Sequence, residues 1–267
     1  MGTQLGHVYR QLTFKPKPLP PDIRLDGQTA IVTGASAGGL GFEATKELAA
    51  HGLAQLILAV RHIAAWIKNL EVTRAKTGHE SNVQVNHLGT AHLSLLLPPI
   101  LRATAAHTSR PARLTVVASE AHFWTLFSER HAPSILQRLD EESSFKPGDM
   151  ERYNTSKLLN ILWTRGLSSR VAAEKNGSSG TAAVTINAVN PGFCASTLEQ
   201  GGHCLTDAAC RHGDQQGAYI SEQEVKAVSG FVTSVEGERA QKRLWDETIA
   251  LFQELDPFLD LGNLLEA

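Results

Sequence analysis

The chain has 267 residues, 42% of them apolar, with 25 basic and 27 acidic side chains and a formal net charge of −2. That length and apolar content support a single domain with a sizeable core. The balanced charge excludes the basic surplus that binding to nucleic acid or an anionic membrane surface requires, and three cysteines (Cys194, Cys204 and Cys210) are too few and too odd for a disulfide framework, which fits a reducing, cytoplasmic setting.

Residues 1–25 are polar and dotted with prolines, as in Phe14-Lys15-Pro16-Lys17-Pro18-Leu19-Pro20-Pro21, and are predicted to form an extended lead-in without a secretory signal pattern. A strand is predicted over Thr29–Thr33, then a turn from Gly34 to Gly41 with four glycines in eight residues, then a helix over Phe42–Ala50. Strand, glycine turn and helix N-terminus together make a phosphate cradle: backbone N–H groups point at the anion, and glycines let it approach closely. Gly34, Gly39 and Gly41 are the candidate cofactor-binding glycines. The second strand, Gln55–Val60, runs into Arg61. An acidic residue there would hydrogen-bond the adenosine ribose of NAD(H), whereas Arg61 is suited to pair with a 2′-phosphate, so NADP(H) is the expected cofactor.

Ile63 to Leu70 reads as one helix, and the apolar run Leu93–Leu101 is too short to span a bilayer and is broken by Pro98-Pro99. A further strand is predicted over Leu114–Ala118, ending beside Ser119. Residues 122–150 hold Phe123, Trp124, Phe127, Leu136 and Leu139 among charges; they read as a lid over an apolar substrate or as a surface helix packed on the core. Polar breakers predict loops at Lys175–Gly180 and Gly201–Gly217, with a strand over Ala182–Val189 between them and an amphipathic helix over Val235–Leu255 at the end. His203-Cys204 and Cys210-Arg211-His212 match no common zinc spacing, so no metal is assigned. The alternation of strands and helices predicts an α/β fold, a doubly wound, mostly parallel sheet with helices on both faces.

Tyr153 and Lys157 carry the chemistry. They stand one helical turn apart in Glu151-Arg152-Tyr153-Asn154-Thr155-Ser156-Lys157, so both side chains leave one helix face. An ammonium beside a phenol favours the phenolate, which makes Tyr153 a proton donor and acceptor for a carbonyl/alcohol pair near neutral pH.

With the glycine turn, this pair resembles the short-chain dehydrogenase/reductase family, which carries Thr-Gly-x-x-x-Gly-x-Gly near the N-terminus and Tyr-x-x-x-Lys further along. Arg113 to Ser119 is similar to the family's fifth strand, with Ser119 as its catalytic serine. Val85-Asn86-His87-Leu88-Gly89 is similar to the helix bearing its active-site asparagine, Asn86, and Asn190-Pro191-Gly192 to its Pro-Gly turn beside the nicotinamide. The segment Glu236 to Trp245 resembles a branch frequent in fungal secondary-metabolite biosynthesis. The resemblance implies a Rossmann-like domain over 1–267, catalysis by Asn86, Ser119, Tyr153 and Lys157, and cofactor contacts from Asn86, Tyr153, Lys157, Pro191 and Gly192. It implies a small carbonyl or alcohol as the partner, with a homodimer as the assembly considered.

The chain also departs from that pattern. Between Arg61 and Asn86 the family places its third and fourth strands with their helices, and about two dozen residues cannot hold two such crossover units. The sheet is expected to lack those strands, which exposes edges or forces the flanking strands to pair. The glycine turn holds one residue more than the usual pattern, since Gly38-Gly39 doubles a position. The alternative to an active enzyme is therefore a catalytically impaired remnant that binds cofactor or serves as a regulatory scaffold.

Overall fold

The computed structural model describes residues 6, 9, 10, 13–60, 77–144, 150–173, 184–192 and 198–262. Its first strand, β1 (Thr29–Thr33), leads through the glycine turn into α1 (Leu40–Ala50) and returns as β2 (Gln55–Ala59), which pairs with β1 in parallel, Ile31 opposite Ile57. A π-helical turn over Val83–Leu88 runs into α2 (Gly89–Leu96) and α3 (Pro98–Thr108), the latter opened by a proline that fits a first helical turn. Next come β3 (Ala112–Val117), short 3₁₀ turns at Glu120–Phe123 and Ser128–His131, α4 (Ile135–Asp140) and a last 3₁₀ turn at Glu142–Ser144. The C-terminal half holds α5 (Glu151–Ala173), β4 (Val184–Asn190), α6 (Leu198–Arg211), the short strands β5 (Tyr219–Ser221) and β6 (Glu224–Lys226), and α7 (Val235–Leu255).

Alpha and beta elements alternate as expected, and the predicted strands lie within two residues of their observed bounds. For the sheet, exposed edges and direct pairing of the flanking strands were both open. Among the described residues it falls into two parts: the parallel pair β1–β2, and a four-stranded sheet in the order β3–β4–β5–β6, parallel except for β6. β1 and β3 do not pair. Each instead pairs with its other neighbour, β1 with β2 and β3 with β4. Burial follows this split. Every residue of β4, between β3 and β5, is buried, whereas Ile31, Ile57 and Leu58 remain 44–51% exposed.

The core lies around α5. Leu158, Leu159, Ile161, Leu162, Trp163 and Leu167 are all buried, because this helix packs between the sheet, the α2 region and α7. Trp163 stacks on Trp245 of α7 at 4.5 Å and donates its indole N–H to Ser94 Oγ at 2.8 Å, so its one polar atom is satisfied. Ser234 caps α7 by accepting from Gly237 N.

Two local expectations are corrected. The stretch Gly201–Gly217 is not all loop, since it belongs to α6 as far as Arg211. Gly202, which weakens a helix in isolation, faces α1 here: a Cβ on it would lie 2.7 Å from Glu43 Cβ, so glycine permits a close helix–helix approach. Tertiary packing overrides propensity. Residues 14–20 carry no regular secondary structure, whereas Arg10 and Thr13 belong to a helical turn, closed by Phe14 N donating to Arg10 O and Thr13 Oγ1 to Tyr9 O. The prolines that enforce extension begin only at Pro16. The predicted helix Ile63–Leu70, the loop Lys175–Gly180, Cys194 and Arg61 fall outside the described residues. Among the described residues, no helix is long and apolar enough to cross a membrane.

Candidate active site

The glycine turn resolves its extra residue by using all four glycines. Gly34 and Gly38 adopt φ of +68° and +76°, a region that favours glycine. Gly39 N donates to Ser36 O at 3.0 Å, closing a tight turn with Gly38 at the left-handed position, and Gly39 itself is the N-cap of α1. A Cβ on Gly41 would meet Gly34 O at 3.0 Å and Ala35 Cα at 3.1 Å, so only glycine lets the helix sit this close to the turn. The result is a backbone cradle at a helix N-terminus with no side chain capping it, as a dinucleotide phosphate requires.

Of the expected catalytic residues, Tyr153 and Lys157 stand on the first two turns of α5. Tyr153 is half-buried and Lys157 buried, with Lys157 Nζ 5.6 Å from the centre of the Tyr153 ring. Burial pulls the Lys157 ammonium down to a pKa of about 8, so it still carries a proton at neutral pH. Its Nζ reaches Val117 O at 3.5 Å, and Asn160, one turn further along the helix, donates to the same carbonyl at 3.3 Å. The end of β3, two residues before Ser119, is thus tied to α5.

Asn86 joins the cluster from the π-helical turn. Its Nδ2 donates to Ser156 Oγ at 3.0 Å, and Ser156 Oγ donates to Tyr153 O at 2.7 Å. The neighbouring His87 anchors the turn: fully buried and edge-on to Trp163, it is pushed by burial to a pKa of about 4 and is neutral. Asn86 lies within this π-helical turn, a local irregularity that recurs at functional sites.

Ser119 follows β3 in extended backbone and caps the turn Glu120–Phe123, its Oγ accepting from Ala121 N at 3.1 Å. That turn packs on α5. The turn Pro191-Gly192 leaves the end of β4 with Gly192 at φ +82°. One buried amide links these two turns. Asn190 Oδ1 accepts from Glu120 N and from Gly192 N, each at 3.3 Å, while its Nδ2 donates to Ser221 Oγ at the end of β5. The sequence reading passed over Asn190. Its signal was a polar residue closing a strand, immediately before Pro191-Gly192.

The described stretch 122–144 of this segment is clamped from two sides. Glu151 Oε1 accepts from Thr125 Oγ1, Leu126 N and Phe127 N, and Arg152 pairs with Glu129 at 2.9 Å where both are almost fully buried. From α7, Arg243 donates to the carbonyls of Arg130 and Ala132. Phe127, Leu136 and Leu139 lie in the core; Phe123 and Trp124 are half-buried and Leu126 is exposed. His203, Cys204 and His212 are occupied structurally: His203 Nδ1 lies 2.9 Å from Glu47, His212 Nε2 lies 2.9 Å from Asp207, and Cys204 is buried.

No family model matches the chain. It is 49% identical to the short chain dehydrogenase sol3 of Alternaria solani, across 85% of this chain and all of that protein, in an alignment of 296 positions. The short chain dehydrogenases yanD of Aspergillus niger, at 29% identity, and resG of Aspergillus sclerotiorum, at 30%, cover 91% and 94% of this chain and 96% and 90% of their own lengths. In fold, the chain is similar to an uncharacterised protein from Mycobacterium paratuberculosis, with a TM-score of 0.62, 19% identity, and coverage of 89% of this chain and 98% of that one. The identity and coverage shared with sol3 place the chain in the short-chain dehydrogenase family of oxidoreductases.

Proposed function

We propose that this chain is an NADP(H)-dependent oxidoreductase that interconverts a ketone and a secondary alcohol on a small, mostly apolar metabolite, in a fungal secondary-metabolite pathway. The observation that carries the reading is the cluster on α5: a buried, protonated Lys157 beside Tyr153, with Asn86 held to the same turn through Ser156. Tyr153 donates a proton to the substrate oxygen in reduction and accepts it in oxidation. Ser119 hydrogen-bonds that oxygen and stabilises its developing charge. Lys157 lowers the pKa of Tyr153 and grips the nicotinamide ribose, and Asn86 orders a water that relays protons. Gly34, Gly39 and Gly41 cradle the pyrophosphate, Arg61 pairs with the 2′-phosphate, and Pro191 and Gly192 flank the nicotinamide. The bound nicotinamide supplies the hydride. Among the described residues of segment 122–150, Phe123, Trp124, Leu126 and Met150 are apolar side chains open to a substrate, and a cytoplasmic homodimer is the assembly proposed.

We also propose that the chain lacks the family's third and fourth strands. That β1 and β3 do not pair with each other supports this, as does an alignment to sol3 that runs over more positions than this chain has residues. The same observation favours a second reading, a remnant that binds cofactor without turnover. One experiment separates the two. In single-turnover NADPH oxidation over a panel of ketones, Tyr153→Phe is expected to lose about a hundred- to ten-thousand-fold in rate, with NADPH affinity by fluorescence titration unchanged. Full activity in Tyr153→Phe would refute the mechanism. NADPH binding by the unmodified chain without turnover of any ketone would favour the remnant.

A further inference from the structure

His122 follows Ser119 by three residues and is buried, yet both its ring nitrogens are engaged. Nδ1 lies 2.7 Å from Ser119 O, and Nε2 lies 3.2 Å from Ser229 N. The partners fix the tautomer. A carbonyl oxygen can only accept, so Nδ1 carries the hydrogen; a backbone N–H can only donate, so Nε2 is the bare nitrogen. Neutral imidazole meets both demands at once. The ring has little freedom to leave, since Phe123 packs on it at 4.1 Å and Tyr219 meets it edge-on at 4.9 Å.

The position of this ring matters because of what Ser119 O does. That carbonyl also accepts from His122 N, at 3.3 Å, and the peptide it belongs to sets where Ser119 Cα and Oγ point. Ser119 Oγ meanwhile caps the turn through Ala121 N. Ser229 lies between β6 and α7, so the imidazole braces the serine turn against the C-terminal layer.

We infer that His122, as its Nδ1–H tautomer, is a positioning residue that sets the orientation of Ser119 Oγ toward the substrate oxygen. The inference rests on the reading of Ser119 given above and adds to it a residue that acts only through Ser119. Burial pushes the His122 pKa down to about 4, which keeps the ring neutral at working pH. A protonated ring would place an N–H against the Ser229 N–H.

Two near-isosteric substitutions divide its two bonds. In His122→Asn the side-chain amide N–H₂ stands close to the place of Nδ1–H and keeps the bond to Ser119 O. In His122→Gln the amide oxygen stands near Nε2 and keeps the bond to Ser229 N while Ser119 O loses its ring donor. With acetophenone and NADPH as probes, His122→Asn is expected to retain kcat within about threefold, and His122→Gln to lose on the order of ten- to a hundredfold, as a misplaced catalytic group does. NADPH affinity should be unchanged in both. Equal kcat in the two variants, whether high or low, would overturn the inference, because a packing role does not distinguish them. The tautomer is tested without turnover by imidazole ¹⁵N NMR of the free protein: a hydrogen on Nε2 of His122 would overturn it too. Ser119→Ala keeps the two levels apart, since full activity there would refute the role of Ser119 itself while leaving the tautomer result standing.

Discussion

The close approach of α6 to α1 can be tested with one methyl group. Gly202→Ala places a Cβ 2.7 Å from Glu43 Cβ, 3.0 Å from Ala44 N and 3.1 Å from Glu43 C. Carbon–carbon contacts settle near 3.5–4.0 Å, and two of these obstacles are backbone, so the helices must part. Overpacking of this kind costs about 1–3 kcal/mol, against a gain of about 1 kcal/mol from the better helix former. Parting the helices also strains the buried network next to it, where Glu47 meets His203, Thr206 and the Leu19 N–H. Hydrogen bonds to a charged group are worth about 1.5–3 kcal/mol each, so the net expectation is a loss of roughly 2 kcal/mol. Gly166→Ala in α5 is the control. Its new Cβ would lie 3.4 Å from Trp245 and 3.5 Å from Arg170, ordinary contact distances, so propensity decides and stability should hold or rise by up to about 1 kcal/mol. Urea unfolding followed by far-ultraviolet circular dichroism reads both variants without relying on the tryptophans near Gly166. If Gly202→Ala proves as stable as the unmodified protein, the helices do not meet as described.

Arg61→Asp should abolish any preference for NADPH over NADH, measured as the ratio of dissociation constants; equal affinities in the unmodified protein would refute the role given to Arg61. Glu129→Gln removes the buried carboxylate charge that pairs with the Arg152 guanidinium at 2.9 Å, and urea unfolding should show a loss of about 3–5 kcal/mol. Lys157 makes stability depend on pH in the free protein. Its pKa is lowered on folding from 10.5 to about 8, so the unfolded chain binds the extra proton between those values and stability rises with pH across that window. Relative to Lys157→Met, the unmodified protein should gain about 3 kcal/mol between pH 8 and 10.5; a flat difference would show that the ammonium is not buried.

Much of the candidate site was legible because it depends on short-range spacing. Tyr153 and Lys157 share a face wherever that stretch is helical, and Gly34 to Gly41 can only be a tight turn. Gly202 shows the opposite case. Its glycine reads as a breaker in one dimension, and its purpose is visible only where α1 supplies the opposing backbone. Asn190 and His122 were missed for a related reason: each joins segments far apart in the chain, namely Glu120 with Ser221 and Ser119 with Ser229. No local pattern encodes such partners.

The split sheet follows from the same distinction. Strand identity is local, and β1 and β3 form where their apolar runs predict them. Burial is not local, since a strand needs neighbours on both edges and cover on both faces. Fully burying an isoleucine or leucine stabilises by about 1.5–3 kcal/mol. Ile31, Ile57 and Leu58 are about half exposed, so each forgoes a share of that gain, whereas the residues of β4 realise it in full. Stability is therefore concentrated around α5, β4 and α7, the elements that carry or brace Tyr153, Lys157 and Ser119. The glycine cradle stands instead on the pair β1–β2, held through α1 and its close contact with α6. A short-chain dehydrogenase missing strands next to β1 would thus keep its proton-transfer groups rigid, and the weak point of the enzyme would be the grip on the cofactor rather than the chemistry.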